Sequence, residues 1–445
     1  MSEANDDRRK GGEAPLRAVR WLILVVPSAM YFVSYFHRVA PAVVAGDLMR
    51  AFAITAASLG TLSAVYPYVF VVMALVAGSL AETLGPRFTL ALGGLAMGAG
   101  TIVMGLAPVF GVAVAGRLLV GLGASVVLIS FLSLAAEWFQ PHEFATVSGL
   151  AQTVGNVGGL AAAAPLAGLV EAIGWRGSFV VVGAATLVVG AAAVAFVRDR
   201  PEAMGLPPVN PPRPRRALTL REVVRGVPEI ARNPRTWPPL VAGPCIFSTF
   251  IVVQGLWGVP YLTQVYGLTR VEAAKTTSLL AVGIIVGAPL AGFVSDRWLG
   301  RRRRPFVLFC AVYAACWIPL AVPAWRLPLT LIAPFFFVMG VASCGLVLLW
   351  SCVREVNDPG RVGIVVGFCN VPIFLALALM QWLSGVVLDA RWQGALVGGV
   401  RVYPAAAYEG AFGICLAAAL VGLAASLAIT ETRCRNVWAG PSLRA

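Results

Sequence analysis

Gly292-Phe-Val-Ser-Asp296-Arg297-Trp-Leu-Gly300-Arg301-Arg302 decides how this chain is read, because the chain carries nearly the same pattern once before, at Gly78-Ser-Leu-Ala-Glu82-Thr-Leu-Gly85-Pro-Arg87. Each copy is a glycine, three residues, a carboxylate, then glycine and arginine, and the copies lie 214 residues apart. Each follows an apolar run of bilayer length, which takes about 20 residues at about 1.5 Å per residue. A second echo links SGLAQTV…PLAGLVEA of the fifth apolar run to VGFCNVP…WLSGVVLDA of the eleventh. Repetition at this period indicates a duplicated helical unit.

Working outward, apolar runs fall near 20–43, 57–81, 88–108, 111–138, 146–172, 177–197, 238–262, 272–294, 305–324, 328–353, 363–389 and 404–429. The chain is 59% hydrophobic and 12% charged, with mean hydropathy +0.83, which excludes an ordinary water-soluble protein. The first run is too long for a signal-peptide core and is expected to be retained. The expected fold is an all-α membrane protein of twelve transmembrane helices in two pseudo-symmetric six-helix halves. Its parts are a tail (1–19), a first half (20–197), a polar linker (198–237), a second half (238–430) and a second tail (431–445). The linker begins rich in proline and arginine, hence extended, and Leu218 to Ala231 has the spacing of a helix lying on the membrane surface.

A net charge of +14 raises the question of nucleic acid, but the pattern answers it. With both termini cytoplasmic, 25 of the 34 lysines and arginines fall in cytoplasmic segments and seven in outer ones. That is the positive-inside asymmetry of an inner-membrane protein, so the bilayer is the partner and nucleic acid is not. The protein is expected to act as a monomer. All eight cysteines follow residue 244, without CxxC spacing or a histidine cluster, and read as small apolar fillers; no metal or cofactor is implied. No GxxxxGK[ST] phosphate loop is present, so any energy used is expected to come from an ion or substrate gradient and not from ATP; no enzyme activity is expected.

The repeated loop resembles the signature that the major facilitator superfamily carries after helices 2 and 8, the second copy closely and the first with Glu82 for the usual Asp and Thr83 for the usual Arg. Gly116-Arg117-Leu-Leu-Val-Gly121-Leu-Gly123 resembles that family's helix 4 motif, and Gly174-Trp175-Arg176-Gly-Ser-Phe179 the start of its helix 6. The resemblance implies secondary transport by alternating access around a site between two repeats, for which this superfamily is a standing example. Glu82, Arg87, Asp296, Arg297 and Arg301, with Arg117 as a structural or relay arginine, are then expected to latch the arginine-rich side, carboxylates meeting arginines or helix N-termini. A solvated loop that only sets topology is the plainer alternative.

Ionisable groups inside a span are costly and mark function. Only His37, Arg38 and Arg117 stand out. Tyr31, Tyr35 and Arg38 share one helical face, and two phenols beside a planar guanidinium make a seat for a carboxylate. The pattern resembles the anion-carrying branches of the superfamily, with His37 in the place of their titratable residue and hence a candidate for proton coupling. Equally, His37 lies about 24 Å along a helix starting at Trp21, where Arg38 can snorkel to the interface and His37 can serve a polar contact. Gln254, Trp257 and Tyr261 in the seventh run, and Asn156 and Asn370 in the repeat-related fifth and eleventh, are further candidates to face substrate; interfacial anchoring and interhelical bonding compete for them. A proton-coupled carrier of a small organic anion leads. A facilitator or exporter of neutral or amphipathic solutes, and a receptor that binds without moving its ligand, remain beside it.

Overall fold

The computed structural model describes residues 3–74, 76–140, 143–210, 227–359 and 362–438. Its membrane helices are α1 (Glu3–Val39), α2 (Ala56–Met73), α3 (Pro86–Leu106), α4 (Phe110–Trp138), α5 (144–173), α6 (175–196), α7 (Pro234–Tyr266), α8 (Arg270–Trp298), α9 (Arg303–Ala321), α10 (Leu329–Glu355), α11 (Val362–Ala390) and α12 (Ala405–Leu427). Among the described residues eleven stretches are long and apolar enough to cross a membrane, and the longest, Thr146–Phe196, divides at Gly174 into α5 and α6. Twelve crossings result. Most of the surface helix expected over 218–231 lies outside the described residues; 227–232 is helical.

The repeated signature now has a physical sense. Its second glycine, Gly85 in one copy and Gly300 in the other, takes a left-handed φ of 82° and 55° respectively, the turn that swings the chain from one span into the next. A side chain at either position is strained by the backbone alone.

The chain forms two compact units that do not coincide with its sequence halves: Met1–His37 with Leu75–Gly158 and Arg176–Thr219, and Arg38–Ala74 with Gly159–Trp175 and Leu220–Ala445. In the first, α3 and α4 meet through glycines. An added Cβ would lie 2.2 Å from the Gly93 carbonyl oxygen at Gly123 and 2.5 Å from that of Gly116 at Gly100. Lipid offers helices no hydrophobic drive to associate, so close backbone approach does that work. Arg176, just past the break at Gly174, donates to the carbonyls of Gly105 (3.1 Å) and Ala107 (2.7 Å) at the end of α3, which have no partner in their own helix.

In the second unit α2 crosses α11 just as tightly. A Cβ at Gly60 would stand 2.5 Å from the Gln381 carbonyl oxygen, and one at Gly385 2.4 Å from that of Ala56. At the arginine-poor end of this crossing the Asp389 carboxylate accepts from the backbone N–H groups of Ala56 (3.1 Å) and Ala57 (2.7 Å), the Tyr403 hydroxyl (2.7 Å) and Arg401 (3.2 Å). A carboxylate thus caps the positive end of α2 from the other sequence half. Arg401 reaches it from a small hairpin, β1 (Leu396–Val397) with β2 (Val400–Arg401). Asp47, in the short helix Ala45–Phe52, pairs with Arg270 at the start of α8 (2.8 Å). Together these contacts explain why the far ends of α1 and α2 group with the second half. Gly60→Val is expected to cost about 1–3 kcal/mol by overpacking. Gly168→Val, where an added Cβ meets nothing within 4 Å, should leave the melting temperature of the purified protein unchanged.

Candidate functional site

The sequence candidates divide between the two units, and the first unit holds the histidine. α1 runs to Val39 and tightens into a turn over Ala40–Ala42 that contains Pro41. Proline has no N–H, so the His37 carbonyl loses its helical donor. The Arg117 guanidinium, from α4, donates to it at 2.7 Å. Arg117, expected as a structural or relay arginine, thus stands deep in the helix packing as a support for α1. The His37 ring is 2% exposed, its Nε2 lying 3.4 Å from the hydroxyl oxygens of both Thr101 on α3 and Thr186 on α6. Those hydroxyls donate to the Met97 and Val182 carbonyls, each at 2.7 Å, so they accept from the imidazole and place its proton on Nε2. The ring therefore ties α1 to two supporting helices.

Tyr31 and Tyr35 stand edge to face, ring centroids 5.1 Å apart, and the Tyr31 hydroxyl donates to the side-chain oxygen of Gln152 on α5. Gly155, one turn on, leaves room for both phenols; a Cβ there would be 3.0 Å from each ring. Asn156 spends its amide within its own helix, donating to the Gln152 carbonyl at 2.9 Å.

Arg38 belongs to the second unit, where the structure gives it surroundings that spacing on α1 could not foretell. Its guanidinium carbon lies 5.9 Å from the ring centres of Tyr66, Phe70 and Phe374 and 6.0 Å from that of Phe247. Four rings from α2, α7 and α11 make an aromatic cage around a side chain that is 8% exposed. Ring faces are negative, so each attracts the cation and replaces part of its lost hydration. The rings also pack on one another, Phe70 with Phe374 at 4.6 Å and Tyr66 with Phe70 at 4.8 Å. Asn370, half-buried, precedes Phe374 by one turn of α11.

The remaining helix 7 candidates are turned by a local defect. Val253–Trp257 is a π-turn, wider by one residue, and a Cβ at Gly258 would be 2.4 Å from the Val253 carbonyl oxygen. Gln254 stays 9% exposed within the turn. Trp257 is fully buried and donates from its indole N–H to Ser384 on α11 (2.8 Å). Tyr261 sits in a cluster with Tyr266, Tyr408 and Phe412, at centroid distances of 5.1–5.5 Å. Both aromatics hold α7 to its neighbours within the second half.

Around the second signature copy, Asp296 lies in another π-turn, Val294–Trp298, and its partner is Arg302. Arg297 is exposed, and Arg301 contributes a backbone N–H to the Ser295 carbonyl at 3.1 Å. Arg302 is buried, and it also donates to Glu355 at the end of α10 (2.7 Å) and to the Ser295 hydroxyl (2.8 Å). In the first copy Arg87 donates from its side chain to the Val194 carbonyl at the end of α6 and from its backbone to Asp199 (2.8 Å). The side chain of Glu82 lies outside the described residues. The partners found for Arg87 and Asp296 belong to their own sequence halves.

Residues 28–380 match the Major Facilitator Superfamily. Among curated proteins, the membrane sensor protein UhpC of Salmonella typhimurium is 25% identical over 86% of this chain and 88% of its own length. A probable sulfoacetate transporter of Cupriavidus necator is 25% identical over 62% of this chain and 65% of its own, and a hexuronate transporter of Bacillus subtilis 24% identical over 64% and 69%. Among solved structures, a bacterial homologue of the human lysosomal transporter Spinster superposes with a TM-score of 0.75 at 19% identity, covering 95% of this chain and 99% of its own.

Proposed function

The chain belongs to the major facilitator superfamily and is a multi-pass secondary transporter, not an enzyme; from that premise we propose that it carries a small organic anion, a carboxylate foremost, seated on Arg38. The observation that carries this reading is a guanidinium held inside the membrane at about 6 Å from four aromatic rings. A carboxylate matches its planar fork. Relatives named for hexuronate and sulfoacetate are consistent with such a cargo. The arginine asymmetry supports a reading with both termini on the cytoplasmic side of the plasma membrane. Counterflow in proteoliposomes tests the proposal: labelled carboxylate should accumulate against an internal load of the same acid. Exchange of neutral or amphipathic solutes alone, or binding without exchange, contradicts it.

Proton coupling through His37 is a second reading, favoured by its being the histidine within a span beside Arg38. The two threonine acceptors favour a fixed donor instead. His37→Gln, which keeps an N–H donor, is expected to retain both counterflow and acid-driven accumulation. Counterflow retained with acid-driven accumulation lost assigns the coupling proton to His37.

A further inference from the structure

We infer that each sequence half carries the same brace, a strap after its sixth helix that caps its third and fourth helices on the arginine-rich side. The start of the linker (197–210) and the start of the second tail (428–437) are then one device in two copies, whatever the carrier's cargo. α3 and α9 each follow a signature loop, and neither has a side-chain cap at its N-cap residue or an acidic residue in its first turn. The first N–H groups of a helix have no acceptor within it. In both copies a carboxylate from beyond the half's last span supplies one. Asp199, three residues past the end of α6 at Phe196, accepts from the backbone N–H of Arg87 at 2.8 Å. Glu431, four residues past the end of α12 at Leu427, accepts from those of Arg302 (2.9 Å) and Arg303 (3.2 Å). Negative charge is favourable at this end of a helix. Gly85 admits the first carboxylate, since a Cβ there would stand 2.6 Å from Asp199 Oδ2.

The ends of α4 and α10 present the opposite need, carbonyls without helical donors. The Asn210 side-chain amide donates to the carbonyls of Ala136 and Phe139, both at 2.9 Å. The Asn436 amide donates to those of Arg354 (3.1 Å) and Asn357 (3.0 Å). Each amide thus spans two carbonyls three residues apart, at the end of the fourth helix of its half. The Trp138 indole N–H on the Arg198 carbonyl (2.9 Å) strengthens the first strap, and the Val437 N–H on the Glu355 carbonyl (2.7 Å) the second. Acid first and asparagine second recur in segments that otherwise differ in length and sequence. Between them the second strap holds Arg433 (φ 51°) and Cys434 (φ 58°) in the left-handed region, which residues with side chains keep only where their surroundings impose it. A repeat that rocks as a rigid body needs helix ends that do not fray, and the straps provide this from within each half.

Hydrogen–deuterium exchange on the full-length purified protein, resolved to single amides, tests the braces. In wild type the N–H groups of Arg87, Arg302 and Arg303, which an uncapped helix start leaves open to water, should exchange at least about tenfold more slowly than in an unstructured peptide. Asn436→Ala should speed exchange at Asn357 and Val437 about tenfold and leave Arg87 and Phe139 within about twofold of wild type. Asn210→Ala should speed exchange at Phe139 and leave Asn357 and Val437 within the same limit. The double variant should show both changes, each as large as in the single variant. Unstructured-peptide rates at Arg87, Arg302 and Arg303 in wild type overturn the inference. So do asparagine variants that exchange as wild type does, or a single variant that loosens both halves. The wild-type rates decide the matter even if a variant folds poorly.

Discussion

Arg38→Ala is expected to abolish carboxylate counterflow, by at least about 100-fold in transport efficiency, while leaving the protein folded. Truncating one member of a buried, hydrogen-bonded charge pair costs about 2–5 kcal/mol, and at this site the partner would be the substrate. The fold should tolerate the change because the hole it leaves is lined by Tyr66, Phe70, Phe247 and Phe374, which pack on one another without the cation. Arg38→Lys should fall between, keeping the charge but losing the flat fork that stacks on rings and grips both carboxylate oxygens. Counterflow at wild-type rate in the alanine variant, in a preparation of normal melting temperature, contradicts the assignment.

Arg302→Ala is expected to act through stability instead. Arg302 and Glu355 are 6% and 5% exposed and meet at 2.7 Å, with Asp296 and the Ser295 hydroxyl completing the set. Deleting the cation strands a buried carboxylate at the end of α10, a loss of about 3–5 kcal/mol. A lowered melting temperature of the purified protein checks this. Arg302→Met combined with Glu355→Leu removes both charges and should recover most of it. The same corner is sensitive to acid. Burial opposes ionisation of Glu431, yet the backbone N–H groups of Arg302, Arg433 and Arg303 hold its carboxyl below the ordinary value of 4.5. A depressed folded pKa gives stability that is present above that pH and drains away as pH falls through the folded value.

The twelve spans were legible because a bilayer imposes length and hydropathy on every crossing, and the repeated loop because turns such as those at Gly85 and Gly300 need glycine. Gly174 likewise marks a helix break that its sequence motif announces. Arg38 stood out because a cation inside a span is costly, although snorkelling to the interface competed with a substrate role. Its cage did not stand out: Tyr66, Phe70, Phe247 and Phe374 look like ordinary apolar filling, and only tertiary packing brings α2, α7 and α11 to the same point. Helical spacing also misplaces residues beyond a π-turn. The extra residue in Val253–Trp257 rotates the following face, carrying Trp257 to Ser384 and Tyr261 into an aromatic cluster. Asp296 lies within the turn at Val294–Trp298 and meets Arg302. The His37 orientation was equally hidden, because Thr101 and Thr186 are remote in sequence.

Asp389 ties α2 to α11. Its carboxylate bridges the start of α2 and the end of α11 with hydrogen bonds that water can replace, while Gly60 and Gly385 let the helix backbones touch.

The most direct test of the anion seat is a structure of the protein with a brominated carboxylate that it exchanges, the bromine located by its anomalous scattering. The account predicts one bound molecule whose carboxylate lies within hydrogen-bonding distance of the Arg38 guanidinium. A carboxylate bound elsewhere, out of reach of Arg38, contradicts it.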